Sequence, residues 1–380
     1  MINNNRCFSD TESVMLGYIQ LAVLDQDTIM LDKCIIDWDK LFTLSAEQGV
    51  LAWVWDGICK HPRKKELNRQ QVIEWSLSAQ EIWDKYAHFK QVLVKIIGIC
   101  NQNNIRLLLF KGFAQSELYP KPESRPFGDI DFYLFDDYER GNSLFAHQNV
   151  TRTNKRTGFD YDGVHIENHR FFLNKFTKLH EKAIEYLEST LSEVTLTKDG
   201  YYVMTPTATI VYHVLHFMTH VEDYTTLASL RFVIDFGITL NHYQTQIEPN
   251  QLKSVLEELK IIDLFCLLTV MSEMVLGLTF SNYHFKPINV KDVQSVFKLI
   301  LSRKQYFIPL KDRRYKDVFS FYLKRFKDYK NIIKYLPRSP MKFYMRNIKL
   351  MSAVLIRKSL NLNDGTSIPK GIRMKLCRLF

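Results

Sequence analysis

Apolar residues recur three and four positions apart through the first hundred residues, the spacing of helices with one buried stripe. SVMLGYIQLAVL and the long stretch from about Val72 to Cys100 carry it most clearly. SAEQGVLAWVWDGICK predicts a further short helix, with Ser45 placed as its N-cap. From Ile105 the pattern changes. IRLLLF is an apolar run of strand length, followed at once by Lys111-Gly112 and the brief helical piece FAQSELY, which Pro120 and Pro122 close. Beyond the polar loop ESRPFG, the alternation and aromatic content of DIDFYLF predict a strand; GVHIENHRFF predicts another and GYYVMTP a third.

Helical spacing returns at Thr205. TPTATIVYHVLHFMTHV opens with a threonine N-cap and Pro206 at the first helical position. TTLASLRFVIDFGITL, NQLKSVLEELKIIDLFCLLTVMSEMVLGL and VKDVQSVFKLIL continue the helical series. The predicted fold class is α+β: a small mixed β-sheet core at 102–204, flanked by an N-terminal helical region at 1–101 and a C-terminal one at 205–380. With 380 residues, 46% of them hydrophobic, the chain can bury more than one core.

Chemistry concentrates in the strand-rich middle. Asp129 and Asp131 lie one residue apart on a predicted strand, where side chains two positions apart share a face. Their carboxylates then project together, about 6–7 Å apart along the backbone, and repel unless a cation sits between them. A divalent cation shared with phosphate oxygens is the usual solution for Mg²⁺. Ile130 points the other way and anchors the strand. Upstream, Lys111 offers a point charge and Gly112 a close backbone approach at the start of a helix, whose N-terminus favours anions. Arg125 offers a planar fork to phosphate oxygens. Two metals need a third carboxylate. Glu167 is the choice, because alternation in GVHIENH puts His165, Glu167 and His169 on one face and Val164, Ile166 and Asn168 on the other. Asp160 and Asp162 compete, but they fall in what reads as a turn. The same face could be a plain exposed edge or a zinc-dependent hydrolase site, although H-x-E-x-H on a strand is not a usual zinc spacing.

The segment LLFKGFAQSELYPKPESRPFGDIDFYL resembles the signature of the uncharacterised nucleotidyltransferase family within the DNA polymerase beta-like superfamily. The matching positions are Lys111, Gly112, Tyr119, Pro120, Arg125, Asp129 and Asp131, followed by Glu167 and His169. The resemblance is close over roughly residues 107–135 and extends in outline over roughly 10–240. It implies transfer of a nucleoside monophosphate from an NTP to an acceptor hydroxyl, with release of pyrophosphate. Asp129, Asp131 and Glu167 would hold two Mg²⁺ ions; Lys111, Gly112, Arg125 and Arg231 would face the nucleotide. The acceptor is open: a small molecule, a protein or RNA. The alternative is an inactive nucleotide- or RNA-binding module of the same fold. One departure stands out: the wider superfamily carries Gly-Ser at the turn, and this chain has Gly112-Phe113, without a hydroxyl for a phosphate.

Other features have competing readings. His213, His216 and His220 share a helix face, as core or interdomain histidines turned toward the catalytic unit rather than metal ligands, since no carboxylate completes the set. Arg231 and Asp235 have the i, i+4 spacing of a helix ion pair; alternatively Arg231 reaches the nucleotide. The formal net charge is +10, yet residues 301–380 hold 21 Lys/Arg against four Asp, a local +17, so the preceding 300 residues sum to −7. That basic end, interleaved with aromatics, suits contact with nucleic acid or another anionic partner as well as a solvated surface. Six scattered cysteines without C-x-x-C, no basic-then-apolar leader and no clean membrane span predict a cytoplasmic protein with free thiols.

Overall fold

The computed structural model describes residues 8–26, 31–32, 34–126, 128–145, 149–153, 155–173, 178–222, 229–301 and 330–337. The N-terminal helices are α1 (Asp10–Leu24), α2 (Trp38–Gln48), α3 (Leu51–Lys60) and α4 (Arg69–Gln102). Reciprocal capping boxes start α1 (Ser9 with Glu12) and α4 (Asn68 with Gln71), satisfying N–H groups that a helix start leaves open. The single helix predicted from Ser45 is instead a junction. Asp37 caps α2, Ser45 lies inside it, and Gly49 at φ +67° ends it before α3 begins. That backbone region suits glycine, which explains why the apolar pattern continues while the helix does not.

A seven-stranded mixed sheet follows, in the order β3-β4-β5-β2-β1-β7-β6. The strands are β1 (Leu108–Leu109), β2 (Ile130–Tyr133), β3 (Thr151–Arg152), β4 (Arg156–Tyr161), β5 (Val164–His169), β6 (Thr195–Leu196) and β7 (Tyr202–Val203). IRLLLF and GYYVMTP thus contribute only two paired residues each. Asp162 and Gly163, at φ +48° and +76°, make the tight hairpin between β4 and β5. Asp160 belongs to β4 itself, and Asp162 pairs with Lys95 at 2.6 Å.

One face of the sheet is apolar. Ile130, Phe132, Phe159, Val164 and Ile166 join Phe89, Val92, Leu93 and Ile96 from the second half of α4 in one buried cluster. Asn168 shares that face, where an apolar residue would be expected. Its Nδ2 donates to Tyr138 O and Asn142 Oδ1, both at 3.0 Å, so the amide links β5 to α6 (Tyr138–Phe145).

The remaining helices are α5 (Phe113–Ser116), α7 (Lys178–Ser189), α8 (Pro206–Glu222), α9 (Leu230–Tyr243), α10 (Pro249–Glu258), α11 (Ile262–Leu276) and α12 (Val290–Leu301). Thr205 Oγ1 accepts from Ala208 N at 3.3 Å and Pro206 opens α8, as its start signal predicts. The run NQLKSVLEELKIIDLF breaks into α10 and α11 at Lys260, which takes a left-handed backbone (φ +56°). Helices α1–α3 and α8–α12 share one hydrophobic cluster, to which the first half of α4 adds Trp75 and Ala79. Gln20 Nε2 donating to Val275 O (2.7 Å) and Gln48 Nε2 to Leu301 O (3.3 Å) tie the two helical regions together. Among the described residues no helix is long and apolar enough to cross a membrane. Most of the basic C-terminal stretch lies outside the described residues, and with it the expectation of nucleic-acid contact.

Candidate active site

Strands β2 and β5 run parallel, with Asp131 directly opposite Glu167 and Tyr133 opposite His169. Because Ile130 and Ile166 face the α4 core, the odd-numbered residues of both strands project from the other face. Asp131 Oδ1 accepts from Lys111 Nζ at 2.7 Å and from His169 Nε2 at 2.8 Å. His169 Nε2 also lies 3.2 Å from Glu167 Oε2, and Arg156 Nε lies 3.0 Å from Glu167 Oε1. Asp131, Glu167 and His169 are buried, and each offers one metal-ligating atom within 4.8 Å of the others. His165 is half-exposed and turns to Asp160, 3.1 Å away, so it stands at the rim of this group.

The charges are strongly coupled. Burial alone would raise the Asp131 carboxyl, but the Lys111 ammonium and His169 hold it well below the usual range. Burial disfavours the Lys111 cation, and the attraction of Asp131 outweighs it, so Lys111 stays protonated. Burial and the neighbouring Asp131 push Asp129 up to about 6. Burial lowers His169 despite the two carboxylates beside it, leaving a neutral imidazole at pH 7. Its Nδ1 has no hydrogen-bond partner among the described residues, and its ring meets Phe110 edge-on at 5.2 Å.

Lys111 and Gly112 turn the chain from β1 into α5. Gly112 sits at φ +60°, ψ −99°, a conformation open to glycine and costly for other residues. A Cβ there would meet nothing closer than Asp129 O at 4.0 Å, so the requirement is conformational rather than steric. Phe113 is buried and stacks on Tyr86 with ring centroids 5.1 Å apart; the side chain that replaces serine serves the core. The helix predicted over FAQSELY is a single turn, so little helix dipole reaches the site.

Arg125 lies differently from the phosphate fork expected of it. Its Nε and Nη2 donate to Asp235 Oδ1 and Oδ2, both at 2.8 Å, Nη1 donates to Gly112 O at 3.0 Å, and Nη2 also to Gln115 Oε1 at 2.9 Å. Tyr119 OH adds a bond to Asp235 Oδ1 at 2.8 Å. The expected Arg231–Asp235 helix pair is thus superseded: the carboxylate of Asp235 points to a guanidinium 110 positions away in sequence. A bidentate, buried fork is the stronger match for a carboxylate than a neighbouring flexible arginine. Arg231 Nη1 donates to Pro126 O at 2.7 Å.

These residues surround a cavity of about 380 Å³. Lys111, Gly112, Arg125, Asp129 and Asp131 line its sheet side, and Arg231 lines the helical side. His213, His216 and His220 face it from α8, as the interdomain reading of those histidines anticipates. His213 Nε2 lies 2.9 Å from Gln115 Nε2, and burial brings its pKa down to about 4. His216 stacks on Tyr212, and its Nε2 is 3.2 Å from that of His220. Among the described residues, Asp131, Glu167 and His169 form the one converging group of three such ligands, so the α8 histidines make no such site.

Residues 35–277 match the family described as "Uncharacterised nucleotidyltransferase". The chain belongs to this family. The match covers the whole sheet and every candidate site residue, and it ends just past α11. No curated protein and no solved structure matches the chain.

In this nucleotidyltransferase-family chain, several cavity residues carried no chemistry in the sequence reading. Lys155 and Arg156 precede and open β4, a strand whose glycine and mixed polarity hid it. Phe232, beside His220 at 4.5 Å, reads as an ordinary core aromatic until α9 is docked.

Proposed function

We propose that this protein transfers a nucleoside monophosphate from an NTP to an acceptor hydroxyl, using magnesium held by Asp129, Asp131 and Glu167. The observation that carries the reading is Asp131 of β2 set directly against Glu167 of β5, beside a cavity that Asp129 and Asp131 line together with Lys111, Arg125, Lys155, Arg156 and Arg231. The donor set fits a divalent cation. Asp131 and Glu167, with His169 beside them, each offer one ligand atom within 4.8 Å of the others, close enough together for one divalent cation. Asp129, pushed up by burial and by Asp131, is a carboxylate short of positive charge. A second ion would be held by Asp129 and Asp131.

When bound, Mg²⁺ supplies positive charge to the phosphate oxygens and makes the acceptor hydroxyl more acidic. The chain's own residues do the rest. Lys111 neutralises Asp131 and stands at the turn where phosphate approaches. Gly112 lets the backbone come close. Arg125 spends four of its five N–H groups on protein acceptors, which makes it chiefly a brace for the Gly112 turn, with one donor left for the nucleotide. Arg231 lines the helical side of the cavity, from which it would meet the nucleotide. In the reaction the acceptor oxygen bonds to the α-phosphorus, the bond to the bridging oxygen breaks, and its electron pair leaves with pyrophosphate. The hydroxyl proton ends in solvent.

The test is to offer NTP labelled at the α- or the γ-phosphate, with Mg²⁺, to separate small-molecule, protein and RNA fractions. The α-label is expected in one acceptor fraction and the γ-label in pyrophosphate. Transfer of the γ-label to the acceptor would show a kinase-type reaction and overturn the assignment.

A further inference from the structure

Five cationic side chains line the cavity: Lys111, Arg125, Lys155, Arg156 and Arg231. Four of them have a protein acceptor already. Lys111 is bound to Asp131, Arg125 to Asp235, Arg156 to Glu167, and Arg231 to Pro126 O. Lys155 differs. Among the described residues its ammonium makes no ion pair and no hydrogen bond, although its backbone is held firmly. Lys155 O accepts from Arg170 N at 2.7 Å and Phe171 N at 3.3 Å, and Lys155 N donates to Thr153 Oγ1 at 3.3 Å.

We infer that Lys155 binds the polyphosphate of the substrate, and that its charge is left unpaired in the free protein for that ligand. The ligand's identity as a nucleotide rests on the nucleotidyl-transfer reading; the polyphosphate chemistry does not. A cation packed among protein atoms and next to other cations is unfavourable unless an anion completes it. Burial, with Lys111 and Arg156 nearby, pushes the Lys155 ammonium down to about 7, although Asp131 and Glu167 act in the other direction. A carboxylate ligand would supply one negative charge to a wall of lysines and arginines. A triphosphate supplies several, in a cavity of about 380 Å³ that lies in the size range of small-molecule sites. Lys155 comes just before β4, and the Gly112 turn follows β1; these two strands lie on opposite sides of β2 in the sheet, and both residues line the cavity, so the ligand would be held from two sides.

Lys155→Met and Lys155→Arg test this in the full chain, with inorganic tripolyphosphate plus Mg²⁺ as the probe. Binding is read by calorimetry and stability by urea unfolding without ligand. Lys155→Met should weaken tripolyphosphate binding by about tenfold to a hundredfold, the range for one charge-assisted hydrogen bond, while leaving the free protein as stable as wild type or more so. Lys155→Arg should recover most of the affinity. A merely structural lysine would lower stability together with binding and gain nothing from arginine, and that result overturns the inference. So does unchanged binding in Lys155→Met, or a wild type that does not bind tripolyphosphate. Lys155-dependent binding without α-label transfer to any acceptor would leave this inference standing and sink the nucleotidyl-transfer reading instead.

Discussion

Asp235→Asn nearly preserves the shape of its side chain and removes the charge that balances Arg125. Both residues are 4% exposed, and they face each other through two 2.8 Å contacts. Burial would raise the Asp235 carboxyl, but the Arg125 guanidinium holds it below its usual value; the ion pair therefore outweighs its desolvation in this setting. Breaking a buried pair by removing one partner costs about 3–5 kcal/mol, because the other charge stays buried without compensation. Tyr119 OH, which donates to the same carboxylate, loses part of its bond as well. The expected loss in urea unfolding is about 3–5 kcal/mol, a large share of the 5–15 kcal/mol that is typical of a domain. The double variant Arg125→Met/Asp235→Leu should lose clearly less than the sum of the single losses, since it leaves no orphan charge. Asp235→Asn within about 1 kcal/mol of wild type, or additive losses in the double variant, would refute the brace.

Three further outcomes follow from the same structure. Gly112→Ala should destabilise by about 1–3 kcal/mol and lower transfer activity, because alanine is strained at φ +60°, ψ −99° although it has room; equal stability by calorimetry would contradict the assigned backbone. His213 titrates near 4 when folded against 6.5 in the unfolded chain, so the unfolded state takes up more protons between those values and stability falls as pH drops through that window. Asp129, raised to about 6, acts in the opposite sense, so the comparison is wild type against His213→Gln: wild type should lose about 3 kcal/mol relative to the variant between pH 7 and 4, and parallel curves would refute it. Mg²⁺ at a hundred times its Kd should stabilise wild type by about 2.7 kcal/mol and leave Asp131→Asn nearly unmoved; equal shifts would place the ion elsewhere.

The parts of the site that lie close together in the chain were legible. Strand alternation put Glu167 with His169, and the register of β2 on β5 set Asp131 against Glu167; Asp129, read as part of the same strand, comes just before β2 and outside the converging group of three. The Lys111-Gly112 turn followed from a strand running into glycine. What could not be read depends on docking. The partner of Arg125 lies on α9, and no local spacing distinguishes Asp235 paired with Arg231 from Asp235 paired across the cleft. Phe113 looked like a missing hydroxyl until the packing of Tyr86 showed the side chain in the core. Helix limits failed where a single backbone angle decides, at Gly49 and Lys260, while the apolar pattern ran on through both. The shared cluster of α1–α3 with α8–α12 is a tertiary fact, invisible to periodicity, which shows that a face is buried but not against what.

Nucleotidyl transfer, as proposed, depends on Asp131 of β2 and on Asp129 just before it. The direct measurement is α-label transfer from NTP in the presence of Mg²⁺ by wild type and by Asp129→Ala/Asp131→Ala, with the fold of both checked by circular dichroism. Wild type should label an acceptor and release pyrophosphate, and the folded double variant should do neither. Transfer that persists in the double variant would contradict the claim.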